Sequence, residues 1–402
     1  TTEIYTLSLH DALPIYIALL LHDIGKGLPE AHEIAGARMA RVIAPRLGLD
    51  PAECETVEWL VLNHLLMSDF AQKRDLSDPR TVRDFANIVQ SNTRLKLLLA
   101  LTVCDIRGVG PGVWNNWKAM LLRDLYSQTR DMLMNGQQIH SGPKRETDAI
   151  EALVETLDGW TETDIAAECE RHYRPYWLGL DTETQKIFAE LARSVKSDEP
   201  VSSIVPDPSR DATRACFVMP DHPGIFARFA GALALTGANV VDARTYTSSD
   251  GLATAVFWIQ DSDGKPYDET RLSRLRKMIL RILKGEVIAR DALRSKDKIK
   301  KRERDFIVPT SIIFDNDGSE IFTIIEVDTR DRPGLLFDLA RTLTDCGVSI
   351  SSAIIATYGE QAVDAFYVKD LFGLKIHSKD KQNKIENRLI AAIEQGQKGA
   401  NE

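Results

Sequence analysis

The sequence predicts a multidomain protein, an all-α domain followed by two tandem copies of one α+β module. Three observations carry this reading. Apolar residues recur at three- and four-residue spacing from Tyr16 to about Leu191, which is helical periodicity. A Pro- and Ser-containing stretch, SDEPVSSIVPDPSRD, then marks a shift in composition. Beyond it the order strand, helix, strand, strand, helix occurs twice, which is the signature of an internal repeat. At 402 residues the chain is long enough for more than one core. Its 44% hydrophobic and 27% charged residues are a globular balance.

Residues 1–15, TTEIYTLSLHDALPI, fit poorly with the helical pattern that begins at Tyr16 and resemble a translated adapter read. They are expected to be a non-native segment, His10 and Asp11 included, of a fragment of a longer protein. The first helix is then expected near Tyr16. The all-α domain spans 16–145, with turns at Gly25, Gly27 and Pro29, at Gly48 and Pro51, at Ser77-Asp78-Pro79, and around Pro111. ETVEWLVLNHLLM reads as one continuous helix. A more polar helical extension covers 146–198 and a linker 199–212.

The first α+β module is predicted over 213–288 and the second over 311–397, with a tail at 398–402. Asp221-His222-Pro223-Gly224 matches Asp331-Arg332-Pro333-Gly334, and Gly237 falls at the same offset as Gly347. These two glycines read as left-handed helix caps. The basic run RSKDKIKKRERD, within a linker at 289–310, reads as a solvated segment.

The net charge of −9 and pI near 5.5 argue against wholesale binding to nucleic acid or an anionic membrane. No apolar run approaches the roughly 20 residues of a spanning helix. Five scattered cysteines without a C-x-x-C pair suit a reducing cytoplasm rather than a disulfide or zinc framework.

Chemistry concentrates in the helical part. In LLLHDIGKG, His22 and Asp23 are adjacent at a helix end before a glycine turn. His32 opens the next helix, His64 interrupts an apolar run, and Asp105 closes another. Unpaired polar groups in such places are costly. Imidazole and carboxylate together suit a divalent cation that activates water and neutralises phosphate charge.

This arrangement resembles the HD-domain metal-dependent phosphohydrolase family. The resemblance implies that His22, Asp23 and Asp105 ligate a first metal, Mg2+ or Mn2+, and that His32 and His64 hold a second or contact phosphate. It gives Lys26 the role of neutralising a phosphate oxygen. The family also has a histidine on an earlier helix, which this sequence lacks unless His10 substitutes.

In each repeat, Asp-x-Pro-Gly joins the first strand to the first helix, where proline pre-sets the turn and glycine permits close approach. The helix N-terminus is expected to offer amides to an anion. The module resembles the ACT domain, a ferredoxin-like βαββαβ fold that binds amino acids. Carried over, Asp221, His222, Gly224, Ile225 and Asn239 would face an effector in the first copy, and Asp331, Arg332, Gly334, Leu335 and Ser349 in the second. A purely structural role for both turns is the other reading.

The order of an HD domain and two ACT modules, with HLLMSDFAQKRDLSDP, VWNNWK and IATYGEQAVDAFYVKDLFG, resembles the bifunctional PII uridylyltransferase/uridylyl-removing family. The resemblance implies a phosphodiesterase that removes UMP from uridylylated PII signalling protein, with glutamine as effector. The family's nucleotidyltransferase domain is missing, since no Gly-Ser followed by Asp-x-Asp appears. Two other readings stand beside it: a (p)ppGpp-type HD hydrolase with ACT regulation, and a glutamine-sensing fragment without turnover.

Overall fold

The computed structural model describes residues 9–110, 113–135, 142–195, 199–286, 308–358 and 361–399. The chain divides into two compact units, residues 1–139 and 140–402. The basic run 294–305 lies outside the described residues.

Among the described residues the first unit has helices and no strand: α1 Leu9–Leu21, α2 His32–Ile43, α3 Pro51–Leu62, α4 Leu66–Lys73, α5 Pro79–Val89, α6 Asn92–Val109 and α7 Asn116–Asn135. Short polar residues set the starts. Asp50 and Glu53 form a reciprocal capping box on α3, with Pro51 at the first helical position. Asp78 caps α5 and Ser91 caps α6 through backbone amides. Ala18, Val57, Leu60, Phe85, Leu98 and Leu101 are among the side chains that close the core.

Three features differ from the sequence reading. Helix α1 begins at Leu9 rather than near Tyr16 and runs through Pro14, because the apolar face of Ile15, Ala18 and Leu21 is buried. The expected single helix around His64 breaks after Leu62, where the Asn63 side chain donates to the Trp59 carbonyl and residues 63–65 turn. Helix α6 continues past Asp105 to Val109.

In the second unit, α8 Gly142–Val154, α9 Glu162–Arg171, α10 Arg174–Gly179 and α11 Thr182–Ser194 precede the sheet. They are held to it by charge as well as by packing. Buried Arg214 on β2 reaches Asp181 at 3.3 Å and Glu183 at 2.7 Å at the start of α11. The predicted extension therefore belongs to the same unit as the α+β modules.

The first module comprises β1 Val201–Asp207, β2 Ala212–Pro220, α12 Ile225–Thr236, β3 Asn239–Thr247, β4 Leu252–Gln260 and α13 Glu269–Leu283. The second comprises β5 Ser311–Asp315, β6 Thr323–Arg330, α14 Leu335–Asp345, β7 Val348–Tyr358, β8 Gln361–Asp370 and α15 Lys379–Gly399. Both are βαββαβ-like, with the edge strand drawn from the N-terminal side. Much of the predicted 199–212 linker is thus strand: β1 pairs antiparallel with β2, from Val201↔Val218 to Asp207↔Ala212. Ser202, Ser203 and two prolines concealed it, although proline is tolerated on an edge.

The two modules join into one eight-stranded sheet, β1-β2-β4-β3-β7-β8-β6-β5, through an antiparallel β3–β7 pairing at Ala243↔Ala353. A shared core of Phe217, Phe257, Leu339 and Phe366 lies beneath their helices. Gly237 and Gly347 have φ of +75° and +70°, the left-handed backbone expected of them.

One buried acid stands out in this core. Asp364 on β8 is 2% exposed, and its Oδ1 lacks a hydrogen-bond partner. Burial pushes its carboxyl well above the usual carboxylate range, and the Asp331 charge adds to the shift. The folded state thus keeps a proton that the unfolded chain releases near pH 4. The stability this confers is full below that pH and is lost as pH rises through the raised value. In urea titrations above pH 4, wild type should lose up to about 1.4 kcal/mol per pH unit more than Asp364→Asn. Equal slopes would show Asp364 ionised in the fold.

Candidate metal centre

The HDIGK turn follows α1 directly, and its approach to α2 requires a missing side chain. A Cβ on Gly25 would overlap the His32 carbonyl oxygen and the Gly36 amide. This close contact brings His22 and Asp23 beside His32 at the start of α2. The α3–α4 turn delivers His64, and the last turns of α6 deliver Asp105.

These groups converge. The His32 and His64 Nε2 atoms are 3.2 Å apart, and Asp23 Oδ1 lies 3.7 Å from the first and 4.0 Å from the second. One ligand atom from each of Asp23, His32 and His64 falls within 4.8 Å of the others. His22 Nε2 stands 3.3 Å from Asp23 Oδ2 and 3.5 Å from Asp105 Oδ1. The His22 and His64 rings meet edge-on, with centroids 5.3 Å apart.

The other ring nitrogens fix the orientation. His22 Nδ1 donates to the Leu19 carbonyl at 2.9 Å and His64 Nδ1 to the Val61 carbonyl at 2.8 Å. His32 Nδ1 faces Glu33 Oε2 at 3.3 Å. With Nδ1 protonated, a neutral His64 turns its Nε2 lone pair toward the shared centre, while His22 Nε2 faces the Asp23 and Asp105 carboxylates. At 3.2 Å the His32 and His64 Nε2 atoms must share either a proton or a cation between them. This donor set fits a divalent cation.

The electrostatics agree with that fit. Burial pushes the His64 imidazole below its ordinary value, and His22 and His32 push it the same way. A neutral His64, 1% exposed, keeps its lone pair free for ligation. The hydrogen bond to Asp105 raises His22 against the opposing effect of burial, and the bond from His22 lowers Asp105. Lys26 donates to Asp23 Oδ2 at 2.6 Å, so its ammonium lies on a candidate ligand within the turn. His10 lies in α1, but its side chain is outside the described residues. Glu33, not singled out from the sequence, is the added residue here; its place one position after His32 was the available signal.

The effector residues proposed for the repeats do not form one cluster per copy. Pro220, before the first turn, pairs with Leu252, whereas Asn239 pairs with Gln260 at the far end of β4. Asn239 is therefore a strand length from Asp221, His222 and Gly224. By the same register Ser349, paired with Lys369, is far from Asp331, Arg332 and Gly334, since Arg330 pairs with Gln361. Gly224 instead approaches the second copy, where its Cβ would lie 3.2 Å from Thr344 Cγ2. Ile225 and Leu335 turn into the core, and their amides are taken by the His222 and Arg332 carbonyls, so neither faces an effector.

The two turns also differ chemically. In the first, His222 Nε2 accepts from Arg228 at 2.7 Å, and Arg228 also donates to the Leu283 carbonyl that ends α13. A groove of about 500 Å³ lies here, lined by Met219, Asp221, His222, Arg228 and Lys284 among others. In the second, Arg332 is buried, paired with Asp338 at 2.5 Å and packed over Gly396 of α15. Thr247 donates to Asp221 Oδ2 at 2.9 Å, and Thr357 plays the same part for Asp331. The shared offset of 110 residues was the sequence signal for these two threonines.

An HD-domain family model matches residues 2–105, an ACT-domain model matches 217–271, and an ACR9-like, ACT-like domain model matches 311–397. The bifunctional uridylyltransferase/uridylyl-removing enzyme of Ruegeria pomeroyi is 62% identical over 95% of this chain, which covers 42% of that protein. The enzyme of the same description from Cereibacter sphaeroides is 61% identical over 95%, covering 41%. That from Rhodospirillum rubrum is 44% identical over 95%, covering 41%. The chain thus spans about two fifths of the curated relatives it matches. Among the described residues no helix is long and apolar enough to cross a membrane.

Gly25→Ala should cost about 1–3 kcal/mol of stability in urea unfolding, the usual penalty for overpacking a tight contact. It should also weaken Mn2+ binding in calorimetry by parting His22 and Asp23 from His32. A variant with wild-type stability and affinity would show that the turn has room to spare.

Proposed function

We propose that this chain, the HD- and ACT-bearing region of the bifunctional uridylyltransferase/uridylyl-removing family, hydrolyses the phosphodiester that links UMP to a tyrosine of PII signalling protein. The observation that carries the reading is the convergence of His32 and His64 Nε2 on Asp23, with His22 and Asp105 alongside. His22, Asp23, His32, His64 and Asp105 would hold a divalent cation, Mg2+ or Mn2+. When bound, such an ion supplies positive charge to a phosphoryl oxygen and lowers the pKa of water.

The chain's own residues do the rest. Asp23 and Asp105 supply negative charge that draws a cation into a half-buried pocket. The Leu19 and Val61 carbonyls keep His22 and His64 aimed inward, so little reorganisation is needed as charge develops. Lys26 can leave Asp23 for a phosphoryl oxygen, because both side chains reach solvent. The tyrosine oxygen is the leaving group and takes its proton from water, which reaches the exposed Lys26 side of the pocket.

Glutamine is proposed as the effector, bound at the Asp-x-Pro-Gly turns and favouring removal of UMP. The first turn is the better candidate, since its groove combines the Asp221 carboxylate with Arg228 and His222, complementary to the ammonium and carboxylate of an amino acid. Such control requires glutamine to bind two domain arrangements unequally. The working compartment of this chemistry is the cytoplasm.

His22→Ala and Asp23→Ala should each lose Mn2+ binding in calorimetry and lower UMP release from PII-UMP by at least about 100-fold. Retained hydrolysis in either would remove the assignment. Pyrophosphate release from ppGpp in place of UMP release would redirect it to the other hydrolase class. Glutamine binding without metal binding or turnover would leave a sensor.

A further inference from the structure

The first Asp-x-Pro-Gly turn is hydrogen-bonded to the neighbouring β3–β4 hairpin. The Asp221 amide donates to the Gly251 carbonyl at 2.9 Å, and Asp221 Oδ2 accepts from Thr247, also at 2.9 Å. Two hydrogen bonds therefore tie the turn to the hairpin tip.

The other side of the hairpin is gripped by the end of α9. The Ser249 amide donates to the Arg171 carbonyl at 2.9 Å, and the Arg171 guanidinium reaches Asp250 at 2.8 Å. Arg171 also pairs with Glu168 at 3.1 Å. Glu168 is 3% exposed and takes His172 Nε2 at 3.1 Å on its other oxygen. The His172 ring stacks on Tyr176, with centroids 3.6 Å apart. A buried carboxylate committed to two partners is not free to re-pair, because either loss would strand a charge away from water. The grip is thus paired within the helices through Glu168 and joined to the hairpin through Asp250 and Ser249.

We propose that the segment 168–173 is a coupling clamp: it transmits the state of the Asp221 turn to the helices α8–α11. A ligand that engages the Asp221 carboxylate competes with Thr247, shifts the hairpin, and pulls on Arg171 through Asp250. The regulatory part of this proposal rests on the first turn being the effector site. Its mechanical part does not.

The test uses the full chain with Asp250→Asn and Arg171→Gln, neither of which lines the groove. Glutamine affinity by calorimetry and UMP release without glutamine should stay within about threefold of wild type, while the glutamine-induced change in release falls about tenfold. Undiminished response in both variants overturns the clamp. Hydrogen exchange gives an arm independent of the effector: Asp221→Ala, which removes the acceptor for Thr247, should speed amide exchange across 168–173 by about fivefold. Unchanged exchange there overturns the clamp as well. A wild-type chain that binds no glutamine fails the effector reading alone, and the exchange result then decides the clamp.

Discussion

The first unit is organised around one close approach, two imidazole nitrogens 3.2 Å apart beside a carboxylate. Bringing them together takes polar atoms out of water, and a proton or a cation shared between them makes the arrangement favourable. Every local feature around them serves that approach. The missing side chain of Gly25 lets the HDIGK turn lie against α2. The break after Leu62 puts His64 into a turn rather than along a helix face. The Leu19 and Val61 carbonyls lock the rings.

The second unit solves a different problem, how to make two repeated modules one body. Pairing β3 with β7 extends a single sheet across both copies and puts their helices over one core. Repetition did not preserve equivalence. An arginine at the second turn folds inward over Gly396, where the first turn keeps a histidine and a solvent-facing groove. The α8–α11 segment is bound to the first copy through Arg214 and Arg171, so a signal generated there has a short route into helix.

Much of this was legible in the sequence. The 3.6-residue periodicity announced the helical unit, and the repeated Asp-x-Pro-Gly announced the modules. His22, Asp23, His32, His64 and Asp105 stood out as polar residues in apolar surroundings, and the fold gathers all five. What stayed hidden depends on strand pairing between distant segments or on burial. Strand β1 carries little apolar patterning and exists because β2 offers it an edge. Asn239 and Ser349 were grouped with turns that strand register puts at the other end of the sheet. The roles of Glu168 and His172 come from burial beneath Tyr176, which a polar helical stretch does not advertise.

The claim that these imidazoles share one cation is tested most directly by nitrogen-15 NMR of histidine side chains during a Zn2+ titration. The Nε2 resonances of His32 and His64 should shift together, at a single equivalence point, while their Nδ1 resonances keep the signature of a protonated nitrogen. Nε2 signals that stay unmoved, or metal arriving at Nδ1, would contradict it.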